Sequence, residues 1–148
     1  MPFVVVGVDG STRAQAALAA ATEQAILANA ELRVVYVVVL PAMSGYEFGP
    51  IDVQDMYQAG EKVLAAAIDE LEAAYAGNIP VPVSSEVLTG HVGIEMLRAA
   101  EKDGGAAMVV AGSRGFGGFR SLMLGSVTTY LAHHLSCPLL IIPSEPDD

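Results

Sequence analysis

Two short stretches of this chain hold the residue types that bind or transform small molecules. The first, Gly7-Val8-Asp9-Gly10-Ser11, sets a carboxylate and a hydroxyl between glycines directly after an apolar run. The second covers residues 112–127 and reads GSRGFGGFRSLMLGSV. Its glycines Gly112, Gly115, Gly117 and Gly118 let the backbone turn tightly and approach a ligand closely. Gly125-Ser126 opens a helical pattern, so a hydroxyl and free backbone N–H groups are expected to point outward there. A helix N-terminus of this kind attracts phosphate, with the dipole contributing about 0.3–1 kcal/mol. Charge placement agrees, because residues 104–144 hold two arginines, Arg114 and Arg120, and no carboxylate. The pattern points to an anion held mainly by backbone amides. The plain alternative is a surface loop that ends in a good helix cap.

Other chemistries fit these residues less well. A G-x-x-x-x-G-K-[ST] phosphate loop needs a lysine, and the only lysines are Lys62 and Lys102. A dinucleotide fingerprint should follow the first strand, and the glycine-rich stretch lies far beyond it. Without a lysine to assist phosphoryl transfer, binding with little hydrolysis is expected. Residues 111–115, AGSRG, resemble a variant nucleophile elbow. An elbow runs straight into a helix and is followed by an acid and then a histidine. Here the first carboxylate after Ser113 is Glu145, beyond every histidine. His91, His133 and His134 form no cluster with metal-ligand spacing. Cys137, just before Pro138, reads as a small buried hydrophobe rather than a nucleophile. Asp9 has two compatible roles, ligand contact and helix cap. Leu122, Met123 and Leu124 read either as core beneath the sheet or as an exposed apolar patch.

The elements that must carry these stretches follow from the apolar pattern. Residues 3–8, FVVVGV, are β-branched and short, as a buried strand requires. Ser11 or Thr12 caps an alanine-rich helix that runs to about Asn29. Residues 31–40 form a continuously apolar strand of the kind covered on both faces. Residues 41–53 make a long loop, a length often found in lids and binding loops. Met56, Gly60, Val63, Leu64, Ala67, Ile68, Leu71 and Tyr75 then mark one buried helical stripe, ended by Gly77 and Asn78. A weaker strand over 80–88, with two prolines, suits a sheet edge. A helix over 93–103, a strand over 107–111, a helix over 126–135 and a strand over 138–142 complete the chain. On that last helix Val127, Leu131, His134 and Leu135 fall on one side. Alternating strands and helices predict an α/β fold, a doubly wound five-stranded parallel sheet with helices on both faces. In the order 3-2-1-4-5 the first and fourth strands adjoin where the winding reverses, so both glycine-bearing stretches face one crevice.

Composition bounds the function. The 148 residues fit a single domain, residues 1–148, with a frayed tail over 144–148. At 53% hydrophobic and 16% charged the chain is not disordered. A net charge of −10 argues against nucleic acid and anionic membrane as partners. One cysteine gives no internal disulfide, and no apolar run approaches the roughly 20 residues of a spanning helix. A cytoplasmic location is expected.

The spacing Gly112-x2-Gly115-x9-Gly125-Ser126 resembles the G-x2-G-x9-G-[ST] pattern of ATP-binding universal stress proteins. VVVGVDGS near the start, VVAGSRG at the fourth strand and LGSVTTYLAHHLSCPLLIIP at the end extend the resemblance over essentially the whole chain. It implies ATP or another adenine nucleotide in the crevice and a role in stress adaptation. By motif position, Asp9 would bond the ribose or adenine region, with Gly7 on the wall beside it. Val37 would pack on the adenine and Ala111 would line base or ribose. Gly112, Gly115, Gly125, Ser126 and Val127 would wrap the phosphates, and Arg114 would add a phosphate contact. Mg²⁺ would ride on the phosphates without dedicated protein ligands. No general base is placed for hydrolysis, so at most slow ATP turnover is expected. Two positions depart from the family: Ala107 replaces an acidic residue before the fourth strand, and Gly90-His91-Val92 replaces Gly-x-Pro before the third helix. The apolar edge strand Leu139–Ile142 invites a two-fold homodimer, which the resemblance also implies. A dimeric interaction scaffold without nucleotide is the competing reading.

Overall fold

The computed structural model describes residues 1–40, 52–113 and 124–143. The chain runs β1 (Phe3–Gly7), α1 (Thr12–Ala28), β2 (Glu31–Val38), α2 (Asp52–Ala74), β3 (Val83–Thr89), α3 (Val92–Glu101), β4 (Met108–Gly112), α4 (Ser126–His134) and β5 (Leu139–Ile142). All strand pairs are parallel, and the sheet order is β3-β2-β1-β4-β5. The expected fold class and the expected strand order are both found.

Alternation along β1 explains its uninterrupted apolar run. Val4 and Val6 join the core with Leu18, Ala21 and Leu64, from α1 and α2. Phe3 and Val5 point the other way, to Met96 of α3 and Leu131 of α4. Successive strand residues face opposite sides, so a strand covered on both sides must be apolar throughout. β2 behaves alike, with Leu32 and Val34 on the first side and Val35 and Val37 on the second.

Helix ends follow local chemistry. Ser11 Oγ accepts the Ala14 N–H at 3.1 Å and caps α1, while Asn29, in the left-handed region at φ 52°, closes it. The stripe on α2 matches its predicted positions: Gly60, Leu64, Ala67 and Leu71 are buried, and Met56, Val63, Ile68 and Tyr75 half-buried. Gly60 is the tightest point. A Cβ there would lie 2.7 Å from Tyr36 Cδ1, so glycine lets α2 lie against the Tyr36 ring.

On α4 the expected side carries buried Leu131 and half-buried Val127 and Leu135. His134 is exposed, stacked on Tyr130 at 4.1 Å with its Nδ1 2.8 Å from the Tyr130 carbonyl. The buried positions are Thr128 and Leu131. Thr128 can be buried because its hydroxyl donates to the Gly112 carbonyl at 2.7 Å.

Candidate site at the strand ends

Where β1 and β2 end, their termini and the helices beside them enclose a cavity of about 340 Å³. Asp9, Tyr36, Val37, Val39, Met56 and Val92 are among its walls. That volume lies at the small end of the range typical of ligand sites, about 300–1,000 Å³. Two predicted site residues thus meet in one place: Asp9 supplies a carboxylate and Val37 an apolar wall. Gly7 pairs with Val35 just below.

Asp9 is held in a fixed geometry. Its Oδ1 accepts the Ser11 N–H at 2.9 Å and the Ser11 hydroxyl at 2.6 Å. Oδ2 makes no hydrogen bond among the described residues. Asp9 therefore braces the turn through Ser11, which is the cap itself, and keeps one oxygen for another donor. The two roles expected of Asp9 are compatible in this geometry.

The second stretch arrives across β4. β1 and β4 adjoin through Val6 and Val110. Ala111 is buried in the apolar cluster that includes Val37 and Val92, and Val127 packs against the same cluster. Ala111 is not among the walls of the cavity holding Asp9. Gly112 and the start of α4 are joined twice, by Thr128 Oγ1 to the Gly112 carbonyl and by the Gly125 N–H to the Ser113 carbonyl at 2.8 Å. The Gly125 amide is therefore engaged, not free as the sequence reading had it. Gly125 is the cap residue of α4 and provides no side-chain cap. Helix geometry leaves the amides of Ser126, Val127 and Thr128 without intrahelical acceptors, and Ser126 is exposed. Arg114 and Gly115 lie outside the described residues, as do the loop over 41–51, the segment over 114–123 with Leu122 and Met123, and the tail over 144–148. Leu124, which was read as core or patch, is exposed.

In Gly90-His91-Val92, Val92 stands where the family motif has Pro, and His91 takes the unrestricted position before it. The His91 Nδ1 accepts the Ile94 N–H at 3.3 Å and caps α3, next to the cavity wall at Val92. Cys137 is half-buried against the α3–α4 side of the core. Burial pushes its thiol up, partly offset by backbone hydrogen bonds, which disfavours a nucleophilic thiolate. Among the described residues no three His, Cys, Asp or Glu side chains come together to hold a metal ion. No helix among them is long and apolar enough to cross a membrane.

A second cavity, of about 300 Å³, opens at the opposite ends of the strands, near Glu31, Arg33, Ser84, Glu86, Lys102 and Asp103. Its charges satisfy one another. Arg33 bonds Glu31 at 2.9 Å and Asp103 at 2.8 Å and lies 3.7 Å over the Phe3 ring. Burial works against the Arg33 charge, but hydrogen bonds and attraction to both carboxylates outweigh it and raise its pKa. This network ties β2 to the turn before β4 and matches the main charges of the cavity with one another.

A model of the universal stress protein family matches residues 3–143. The chain belongs to the universal stress protein family. Among relatives of this stress protein, Rv1996 of Mycobacterium tuberculosis is 34% identical over 97% of this chain and 48% of its own length. YxiE of Bacillus subtilis is 30% identical over 94% of this chain and 97% of its own. The chain thus spans about half the length of the mycobacterial relatives and nearly all of YxiE. A family structure from Burkholderia pseudomallei superposes with TM-score 0.71 at 30% identity, covering 96% of each chain. A universal stress protein in complex with cAMP has TM-score 0.70 at 24% identity, covering 95% of this chain and 96% of that one. An Arabidopsis thaliana member with AMP bound has TM-score 0.62 at 19% identity, covering 99% and 94%. These last two likenesses establish the shared fold.

Proposed function

We propose that this universal stress protein binds an adenine nucleotide, ATP foremost, at the ends of β1, β2 and β4, and acts as a dimeric sensor in stress adaptation. The observation that carries the reading is the meeting of Asp9 and Val37 in one cavity, beside β4 and the first turn of α4. Asp9 offers Oδ2 to a ribose hydroxyl or the base, and Val37 packs on the base with Gly7 behind it. Ala111 packs in the apolar cluster with Val37 and Val92 and lines the base or ribose where the nucleotide extends towards β4. Gly112, Gly115, Gly125, Ser126 and Val127 surround the phosphates, with the unbonded amides of the α4 first turn as donors and Arg114 as a further contact. Family structures holding cAMP and AMP support the ligand class. Mg²⁺ rides on the phosphates and takes no ligand from the protein. No side chain acts as general base, so hydrolysis is slow or absent. Nucleotide binding orders the crevice and so alters the surface a partner meets. Identifying any nucleotide released from freshly purified, denatured protein, then titrating stripped protein with ATP by calorimetry, tests the reading. Saturation near one per chain supports it. No nucleotide and no heat at millimolar ATP, which is weaker than about −4 kcal/mol, removes it.

One observation favours the interaction reading as well. β5 is an edge strand, and each of its residues Leu139–Ile142 is only half-buried. A second copy pairing along it forms a two-fold dimer and covers that edge. A charge placed at Ile141 should then yield folded monomer by light scattering, whereas an unchanged mass takes β5 out of the interface.

A further inference from the structure

Among the described residues Arg13 has no partner, in a protein with acid to spare. Acidic side chains outnumber basic ones 17 to 7. The other described arginines are matched, Arg33 with Glu31 and Asp103 and Arg98 with Glu95 at 2.6 Å. Among the described residues Arg13 makes no ion pair or hydrogen bond, and its Nε is buried without an acceptor.

Its position is informative. Steps of four along α1 put Arg13 in line with Ala17, Ala21 and Ala25, all buried. α1 packs against β1 and β4. Arg13 heads that inward stripe in the first turn, where the helix passes the strand ends and the winding reverses. No acid stands in this first turn. A cation there opposes the helix dipole, and a buried donor on a charged group without an acceptor is destabilising. The fold carries both penalties in the first turn of α1, four residues beyond Asp9 of the candidate cavity, and an anion on Arg13 relieves both.

We propose that Arg13 contacts the phosphate chain of the bound nucleotide and makes the site discriminate by phosphate charge. This rests on the nucleotide reading given above. Calorimetry with ATP and with adenosine, on wild type and Arg13→Gln, tests it. ATP affinity should fall at least about tenfold (about 1.4 kcal/mol), adenosine affinity should stay within about twofold, and the salt dependence of ATP binding should flatten. Thermal unfolding without ligand should be unchanged or shifted upward, because an unmatched cation is gone. If Arg13→Gln does not fold, Arg13→Lys, which keeps the charge but loses the planar fork, carries the test through a severalfold loss for ATP alone. Equal losses for ATP and adenosine, or undiminished ATP binding, overturn the proposal while leaving the nucleotide reading intact. Wild-type protein that binds neither ligand overturns both.

Discussion

Gly60→Ala sets helix propensity against packing at one atom. Within α2, replacing glycine by alanine should stabilise the helix by about 0.8–1.0 kcal/mol. The new methyl, however, would lie 2.7 Å from Tyr36 Cδ1, 3.0 Å from Cε1 and 3.3 Å from a Val87 methyl. Real carbons do not approach to 2.7 Å, so the Tyr36 ring or α2 must shift. Forcing a methyl into a filled contact costs about 1–3 kcal/mol. Two close atoms belong to one ring, and Val87 closes the far side, which places the cost near the upper end. A net destabilisation of about 1–2 kcal/mol follows. Urea denaturation of wild type and variant measures it. Ala65→Gly, at an exposed position on the same helix, calibrates propensity alone. Because Tyr36 also lines the cavity with Asp9 and Val37, ATP affinity should fall in the same variant. A Gly60→Ala protein more stable than wild type by about the propensity difference would refute the reasoning. It would mean that Tyr36 yields at negligible cost and does not set the distance between α2 and the sheet.

Three further outcomes are expected. Ser11→Ala should lose about 0.5–2 kcal/mol of stability through the cap on Ala14, and should weaken ATP binding by releasing Asp9 Oδ1; denaturation and calorimetry read the two effects separately. Thr128→Val should destabilise by about 1 kcal/mol, because the part-buried Gly112 carbonyl loses its donor, and a wild-type unfolding midpoint would contradict that. Cys137 should react with a maleimide more slowly than a free thiol at neutral pH and catch up only as pH rises, since burial lifts its thiol and reduces the thiolate fraction; equal rates at neutral pH would contradict the burial argument.

Where one element decides its own structure, the sequence was readable. The α2 stripe came out position by position because a helix on a sheet buries one face. β1 and β2 were readable because strands covered on both sides admit no polar alternation. Asp9 and Val37 were placed by motif and do share a cavity. What escaped depends on partners distant in sequence. Thr128 looks like a surface residue until the Gly112 carbonyl, 16 residues away, takes its hydroxyl. The Gly125 amide looks free until the Ser113 carbonyl reaches it. His91 looked like a plain surface residue, and its capping role appears only when Nδ1 meets the Ile94 amide. Arg13 did leave a sequence signal that went unused: it stands four residues ahead of Ala17, on the stripe that every other step fills with alanine.

The two ends of the sheet differ in how they settle charge, and that difference locates function. At the start of β2 and β3, Arg33 is bound by two carboxylates, Ser84 donates to Glu31, and Lys102 lies 3.8 Å from Glu86. A closed network of this kind gains little from an added ligand, which would have to break existing pairs and desolvate new ones. At the far end, among the described residues, Asp9 keeps one oxygen unbonded and Arg13 keeps its buried Nε without an acceptor, while helix geometry leaves the first amides of α4 without intrahelical acceptors. The same chain that matched its charges at one end left a donor set and an acceptor unmatched at the other. A ligand carrying both hydroxyl donors and phosphate acceptors matches both kinds of vacancy, and a nucleotide has that composition. Selection for stability alone would have placed a carboxylate near Arg13, and 17 were available. Among the described residues none pairs with it, which is what a site held open for an anion requires, with some stability given up for binding.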